Sequence, residues 1–124
     1  MSKILIIDDE PAIRDVLKIF LEEQGFEVYI AGNGKEALSI FGTKLPEVVF
    51  LDLLLPEKSG KDVLQEIRNL APHTIVIIIT GFSDEEIFSM VKPDDIQGIL
   101  KKPFRLTHVE QKILPKIKTN LHPH

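Results

Sequence analysis

The sequence predicts an α/β domain in which five parallel strands alternate with five helices, a (βα)5 chain wound onto both faces of an open sheet. Three observations carry this. Short apolar runs alternate with amphipathic segments along the whole length. The strand-like runs are almost wholly apolar rather than alternating, as expected of strands covered on both faces. The connections are short, and right-handed crossovers then make a doubly wound sheet the natural topology.

The elements follow in order. Lys3–Ile7 (KILII) is a first strand that runs into Asp8, Asp9 and Glu10. Ile13, Val16, Leu17 and Phe20 fall at i, i+3, i+4 and i+7, the stripe of a one-sided helix. Pro11 suits the first turn of that helix and Gly25 its end. Glu27–Ala31 is a second strand, and Asn33 with Glu36 resembles a capping box for a short helix ending at Gly42. Val48–Leu51 is a third strand. Ser59 caps the next helix, which carries Val63, Leu64, Ile67 and Leu70 until Pro72 stops it. Ile75–Ile79, the most β-branched run, is a fourth strand. Ser83 with Glu86 opens a helix carrying Ile87, Met90 and Val91, which Pro93 breaks after about two turns. Ile96–Leu100 is a weaker fifth strand. Thr107 with Glu110 opens the last helix, with Val109, Ile113 and Leu114 on its apolar side. Pro115 removes a backbone donor there and predicts a kink or an end near Leu114.

Composition narrows the function classes. A chain of 124 residues is one domain by size. The absence of cysteine excludes disulfides, thiolate metal sites and cysteine nucleophiles together. Nineteen acidic against fifteen basic residues, a net charge of -4, argue against direct nucleic acid binding. No apolar run approaches the roughly 20 residues of a membrane span, and the amino terminus does not read as a signal peptide. No membrane partner is expected, and the cytoplasm is the expected location. The four histidines show no zinc spacing.

The chemistry-bearing residues stand at strand ends. Strand one runs into Asp8-Asp9-Glu10, strand three into Asp52, strand four into Thr80-Gly81 and strand five into Lys101-Lys102-Pro103. In an open parallel sheet all carboxyl ends lie along one edge, where such folds build ligand sites. Clustered carboxylates repel one another unless something positive sits among them. A hard cation suits that set, and a small site of one or two carboxylates plus waters suits Mg²⁺. Lys102 can bind a phosphate as a point charge, and Thr80 can donate to a phosphoryl oxygen. Together they form a constellation able to accept a phosphoryl group as an aspartyl phosphate. Taken singly, each residue has a plainer use: an Asp after a strand forms turns, Thr80 ends a strand and Lys102 is solvated surface. Asp84-Glu85-Glu86 is explained by the dipole of the helix it opens.

ILIIDDEP at 4–11, FLDLLLPEKSG at 50–60, IIITG at 77–81 and LKKPF at 100–104 resemble the receiver domain of two-component response regulators, in order and spacing. The resemblance implies a flavodoxin-like sheet of order 2-1-3-4-5 in an α/β/α sandwich, a receiver over 1–120 and a frayed tail at 121–124. It implies that Asp52 is the phosphoacceptor, supplied by a histidine kinase or a histidine phosphotransfer protein. Asp8 and Asp9 look like the acidic pair that holds Mg²⁺, Asp9 directly, with Asp52 and the backbone carbonyl of Leu54 as further ligands. Thr80 resembles the switch hydroxyl and Lys102 the phosphate-binding lysine, followed in many members by a cis bond to Pro103. Pro56 and Gly60 fit the loop after the phosphorylation site. The implied product is a switch that changes a protein-binding surface for a downstream effector rather than a turnover enzyme, and a phosphorylation-dependent dimer stays open.

Departures from the family pattern are specific. Ile99 stands where an aromatic residue is usual, Pro93 shortens the fourth helix and Pro115 interrupts the fifth. Leu54 and Phe82, two positions after Asp52 and Thr80, are both apolar and could shield an acyl phosphate from water. The alternatives are a receiver-like scaffold that takes no phosphate and a flavodoxin-like cofactor binder. Intact Asp9, Asp52, Thr80 and Lys102 argue against the first. The lack of a glycine-rich phosphate loop after strand one argues against the second. Whether the chain is a whole protein or an excised receiver is left open.

Overall fold

The computed structural model of the chain describes residues 2–121. Among these residues five parallel strands form one sheet in the order β2-β1-β3-β4-β5. They are β1 (Lys3–Ile7), β2 (Glu27–Ala31), β3 (Val48–Asp52), β4 (Ile75–Thr80) and β5 (Gly98–Lys101). Between them run α1 (Pro11–Glu23), α2 (Gly34–Lys44), α3 (Gly60–Leu70) and α4 (Asp84–Met90). A last helical rod, α5, joins an α turn (Leu106–His108), a π turn (Val109–Ile113) and an α-helix (Leu114–Leu121).

Every residue of β3 and β4 is buried, so the pleat sends apolar side chains into two separate cores. Ile4, Ile6, Val48, Phe50, Ile77 and Ile79 pack on one face with Leu17, Phe20 and Leu21 of α1 and Val109, Ile113 and Ile117 of α5. Leu5, Ile7, Val49, Leu51, Val76 and Ile78 pack on the other with α2, α3 and α4 through Phe41, Val63, Ile67 and Ile87. The continuous apolar runs are thus two interleaved period-2 patterns, which is the physical content of a doubly wound sheet.

Caps set most of the helix starts. The Asn33 side chain accepts from the Glu36 amide, and the Ser59 hydroxyl accepts from the Asp62 amide. Ser83 and Glu86 form a complete capping box. Pro11 occupies the first turn of α1. Pro93 follows α4 and opens a 3-10 turn, Pro93–Asp95, leaving α4 with seven residues.

Four boundaries differ from those read in the sequence. Helix α2 does not end at Gly42; it continues to Lys44 and closes on Leu45, which adopts the left-handed conformation at φ 51°. Strand β5 begins at Gly98 rather than Ile96 because the Pro93–Asp95 turn uses up the preceding chain. Arg105, not Thr107, is the N-cap of α5, and Thr107 lies inside the first turn. Pro115 does not end α5: the π turn just before it widens the ladder where the missing N–H and the ring would disrupt an α-helix. The rod runs through Leu121; of the tail expected at 121–124, the other residues lie outside the described ones.

Candidate functional site

The strand order brings the ends of β1 and β3 together in the middle of the sheet, flanked by β4 and then β5. The order reverses between β1 and β3, and crevices at such a point are where open α/β sheets hold ligands. Asp8 follows β1, Asp52 ends β3 opposite Ile79, Thr80 ends β4 opposite Lys101, and Lys102 follows β5. All the sequence-predicted site residues therefore meet at one edge. Asp9, Glu10, Asp52, Leu54, Thr80, Gly81, Phe82 and Lys102 line one cavity of about 470 Å³.

Local hydrogen bonds fix each group. Asp8 is fully buried, and its Oδ1 accepts from the Glu10 amide at 2.9 Å. Asp52 is 4% exposed, and its Oδ1 accepts from the Leu54 amide at 2.9 Å. The Thr80 hydroxyl accepts from the Phe82 amide at 3.0 Å, which leaves its own proton free to donate to a further oxygen. The Lys102 amide donates to the Thr80 carbonyl at 2.8 Å, tying β5 to β4 just before the cis peptide at Lys102–Pro103. Gly60 lets α3 start against β3: a Cβ there would stand 2.5 Å from the Asp52 carbonyl oxygen and 2.5 Å from Leu53 Cα.

The charges gather around one ammonium. Lys102 Nζ lies 2.6 Å from Glu10 Oε1, 2.9 Å from Asp8 Oδ2 and 3.2 Å from Asp52 Oδ2. Burial pushes the Asp52 carboxyl up from 3.8 to about 6, helped by the charge of Asp8 and opposed by the Leu54 amide and Lys102. For Lys102, burial alone would lower the pKa, but the hydrogen bond to Glu10 and the nearby carboxylates of Asp8 and Asp52 carry it above the usual lysine value.

The acids fit a hard cation. Asp8, Asp9, Glu10 and Asp52 each offer an oxygen, all within 4.8 Å of one another. Asp8 Oδ2 is buried with no aligned hydrogen bond, its contact with Lys102 being an ion pair only. A buried carboxylate oxygen left in that state suits a metal ligand. Leu54 borders the same cavity.

Two residues acquire contacts that the spacing of motifs did not assign. Glu10 belongs to the acidic run after β1, yet its partner across the chain is Lys102. Arg14, to which no motif assigns a role, donates from Nη1 to the Asp8 carbonyl at 3.2 Å. The available signal was its place in the first turn of a helix, since helical side chains lean toward the N-terminus.

The family profile of the response regulator receiver domain matches residues 4–114, and the chain belongs to that family. It is 33% identical over 111 residues to the probable C4-dicarboxylate response regulator DctR of Bacillus subtilis (strain 168), covering 88% of this chain and 49% of that protein. It is 38% identical over 86 residues to the regulatory protein AtoC of Escherichia coli (strain K12), covering 69% of this chain and 19% of that one. The chain thus spans half or less of the length of these curated relatives. Among solved structures, a response regulator receiver domain protein (CheY-like) from Methanospirillum hungatei JF-1 matches with a TM-score of 0.88 at 28% identity, covering 98% of this chain and 97% of that one. A response regulator receiver domain protein from Clostridium thermocellum matches with a TM-score of 0.84 at 34% identity, covering 98% of each chain. Among the described residues no helix is long and apolar enough to cross a membrane.

Proposed function

We propose that this chain is a phosphorylation-activated switch that takes a phosphoryl group onto Asp52 from the phosphohistidine of a histidine kinase or histidine phosphotransfer protein. The observation that carries this reading is the Lys102 ammonium held among Asp8, Glu10 and Asp52 at the mouth of a cavity that Thr80 also lines. Lys102 there occupies the position of a cation, and two of its carboxylate partners are almost wholly buried.

The chemistry follows from these groups. With its pKa near 6, the Asp52 carboxyl is ionised at neutral pH, as a nucleophile must be. One carboxylate oxygen attacks phosphorus, the P–N bond breaks, and the imidazole nitrogen leaves with the bonding pair and recovers a proton. A Mg²⁺ ion held by Asp8, Asp9, Asp52 and the Leu54 carbonyl would neutralise charge on the phosphoryl oxygens. Thr80 and Lys102 then have a new dianionic partner: the hydroxyl turns to donate, and the ammonium exchanges carboxylates for phosphoryl oxygens. The chain helps to phosphorylate itself and turns over no separate substrate.

The consequence is a changed protein-binding surface for a downstream effector. Ile99 is half-buried beside Phe88, Pro93 and Ile96 in a hollow of about 260 Å³. It carries no aromatic ring, so an aromatic rotamer at this position cannot report phosphorylation.

Beryllofluoride, which imitates the phosphoryl group, tests the reading. With Mg²⁺ it is expected to shift the amide resonances of Thr80, Gly81 and Lys102 in the wild-type chain and leave them in place in Asp52→Asn. Identical spectra with and without the reagent in the wild type would remove the proposal.

A further inference from the structure

Arg14 stands four residues after Glu10, in the first turn of α1. Its guanidinium reaches back over the β1–α1 connection to the Asp8 carbonyl. Asp8 is tied at two further atoms: its amide donates to the Ala31 carbonyl at 3.1 Å, and its Oδ1 accepts from the Glu10 amide at 2.9 Å. Amide, carbonyl and carboxylate are each held by a different part of the chain. The remaining atom is Oδ2, the one that meets Lys102 without an aligned hydrogen bond. Where that oxygen points depends on how the other three contacts hold the residue.

The seat of the guanidinium is equally specific. A Cβ at Gly32, the first residue after β2, would stand 2.5 Å from Arg14 Nη1, and its next neighbour would be Arg14 Cζ at 3.7 Å. The backbone of Gly32 lies outside the left-handed region, so its conformation does not call for glycine. The space does. Arg14 Nε is moreover buried with no partner, an unfavourable state for a cationic donor. The guanidinium is therefore placed by the Asp8 carbonyl and the slot at Gly32, not by full satisfaction of its own donors.

We propose that Arg14 is a positioning residue for the cation site, seated in the side-chain-free slot at Gly32, and that this pair sets the direction of the Asp8 carboxylate. The effect on cation affinity rests on the Mg²⁺ reading above; the effect on the acid loop does not.

The test uses the whole chain as wild type, Arg14→Gln, Gly32→Ala and the double variant. Mg²⁺ is titrated at neutral pH by the amide shifts of Asp9 and Asp52, and thermal midpoints are taken in chelator. Each single variant is expected to bind Mg²⁺ about tenfold more weakly, the scale of losing a group that orients a ligand. The double variant is expected to lose no more than one single, because both changes remove the same contact. The Gly32→Ala midpoint should stay close to wild type, since the group displaced is the end of a flexible side chain. Without metal, exchange of the Glu10 amide, which reports its bond to Asp8 Oδ1, should speed up in all three variants. Unchanged Mg²⁺ affinity with unchanged Glu10 exchange in Gly32→Ala overturns the proposal, as do losses that multiply in the double variant. A wild type that binds no Mg²⁺ defeats the cation reading alone, and Glu10 exchange then decides the positioning role by itself.

Discussion

In the role proposed for it, Asp52 carries opposite demands. A nucleophile must be ionised, yet burial and the nearby Asp8 favour its neutral form and hold its pKa at about 6 against 3.8 for a free side chain. Because the folded chain binds this proton more tightly than the unfolded one, the contribution is fully present below pH 3.8 and is lost as pH rises through about 6. At neutral pH without metal the ionised group therefore costs stability. Asp52→Asn is expected to raise unfolding stability in chelator at neutral pH by about 1–3 kcal/mol, with the gain shrinking toward pH 4. Denaturant melts at several pH values check this; an equal or lower stability of the variant at neutral pH would show that burial does not strain the carboxylate. Leu54 is 68% exposed and Phe82 is half-buried, and both border the same cavity. In the proposed phosphorylated form their apolar side chains keep water from the acyl phosphate. Leu54→Asn combined with Phe82→Glu is expected to speed loss of the phosphoryl group several-fold. A decay rate unchanged from wild type would exclude shielding by these two side chains.

At the scale of elements, the starts of α2, α3 and α4 and the proline stops of α3 and α4 were legible, while the start of α5 and the end of α2 were not. Asn33, Ser59 and Ser83 announce helix starts because their side chains accept from amides three residues on. Gly42 looked like a stop, but a glycine in a helix with no need of positive φ is merely a weak helix former. The stop falls instead on Leu45, an exposed residue in a conformation that disfavours a Cβ. Leu45→Gly is expected to stabilise the fold by about 1 kcal/mol, measured by denaturant unfolding. A loss of stability would mean that the Leu45 side chain makes contacts outweighing the backbone strain. At Pro115 the helix does not end; its ladder changes from a π turn to an α-helix at Leu114. Proline forbids one hydrogen bond, and the sequence does not say whether a helix ends there or shifts register; Val109, Ile113 and Ile117 stay buried, so packing keeps the rod together through a π turn. Burial of that apolar face outweighs the irregular ladder.

For the whole molecule, the fold was legible because its pattern repeats five times. Apolar runs in β1, β3 and β4 recur between amphipathic helices, and only a sheet covered on both faces buries them all. The site was legible because strand order, not sequence proximity, collects it: Asp8, Asp52, Thr80 and Lys102 sit at the carboxyl ends of four neighbouring strands. What stayed hidden were contacts that need side-chain direction, such as Lys102 to Glu10 and Arg14 to the Asp8 carbonyl. The two curated relatives are longer than this chain. The most direct measurement is the intact mass of the chain after incubation with acetyl phosphate, with and without Mg²⁺, in the wild type and in Asp52→Asn. Phosphorylation at Asp52 predicts a gain of one phosphoryl group in the wild type that requires Mg²⁺ and is absent from the variant. A wild type that gains nothing, or a variant that gains as much, would contradict it.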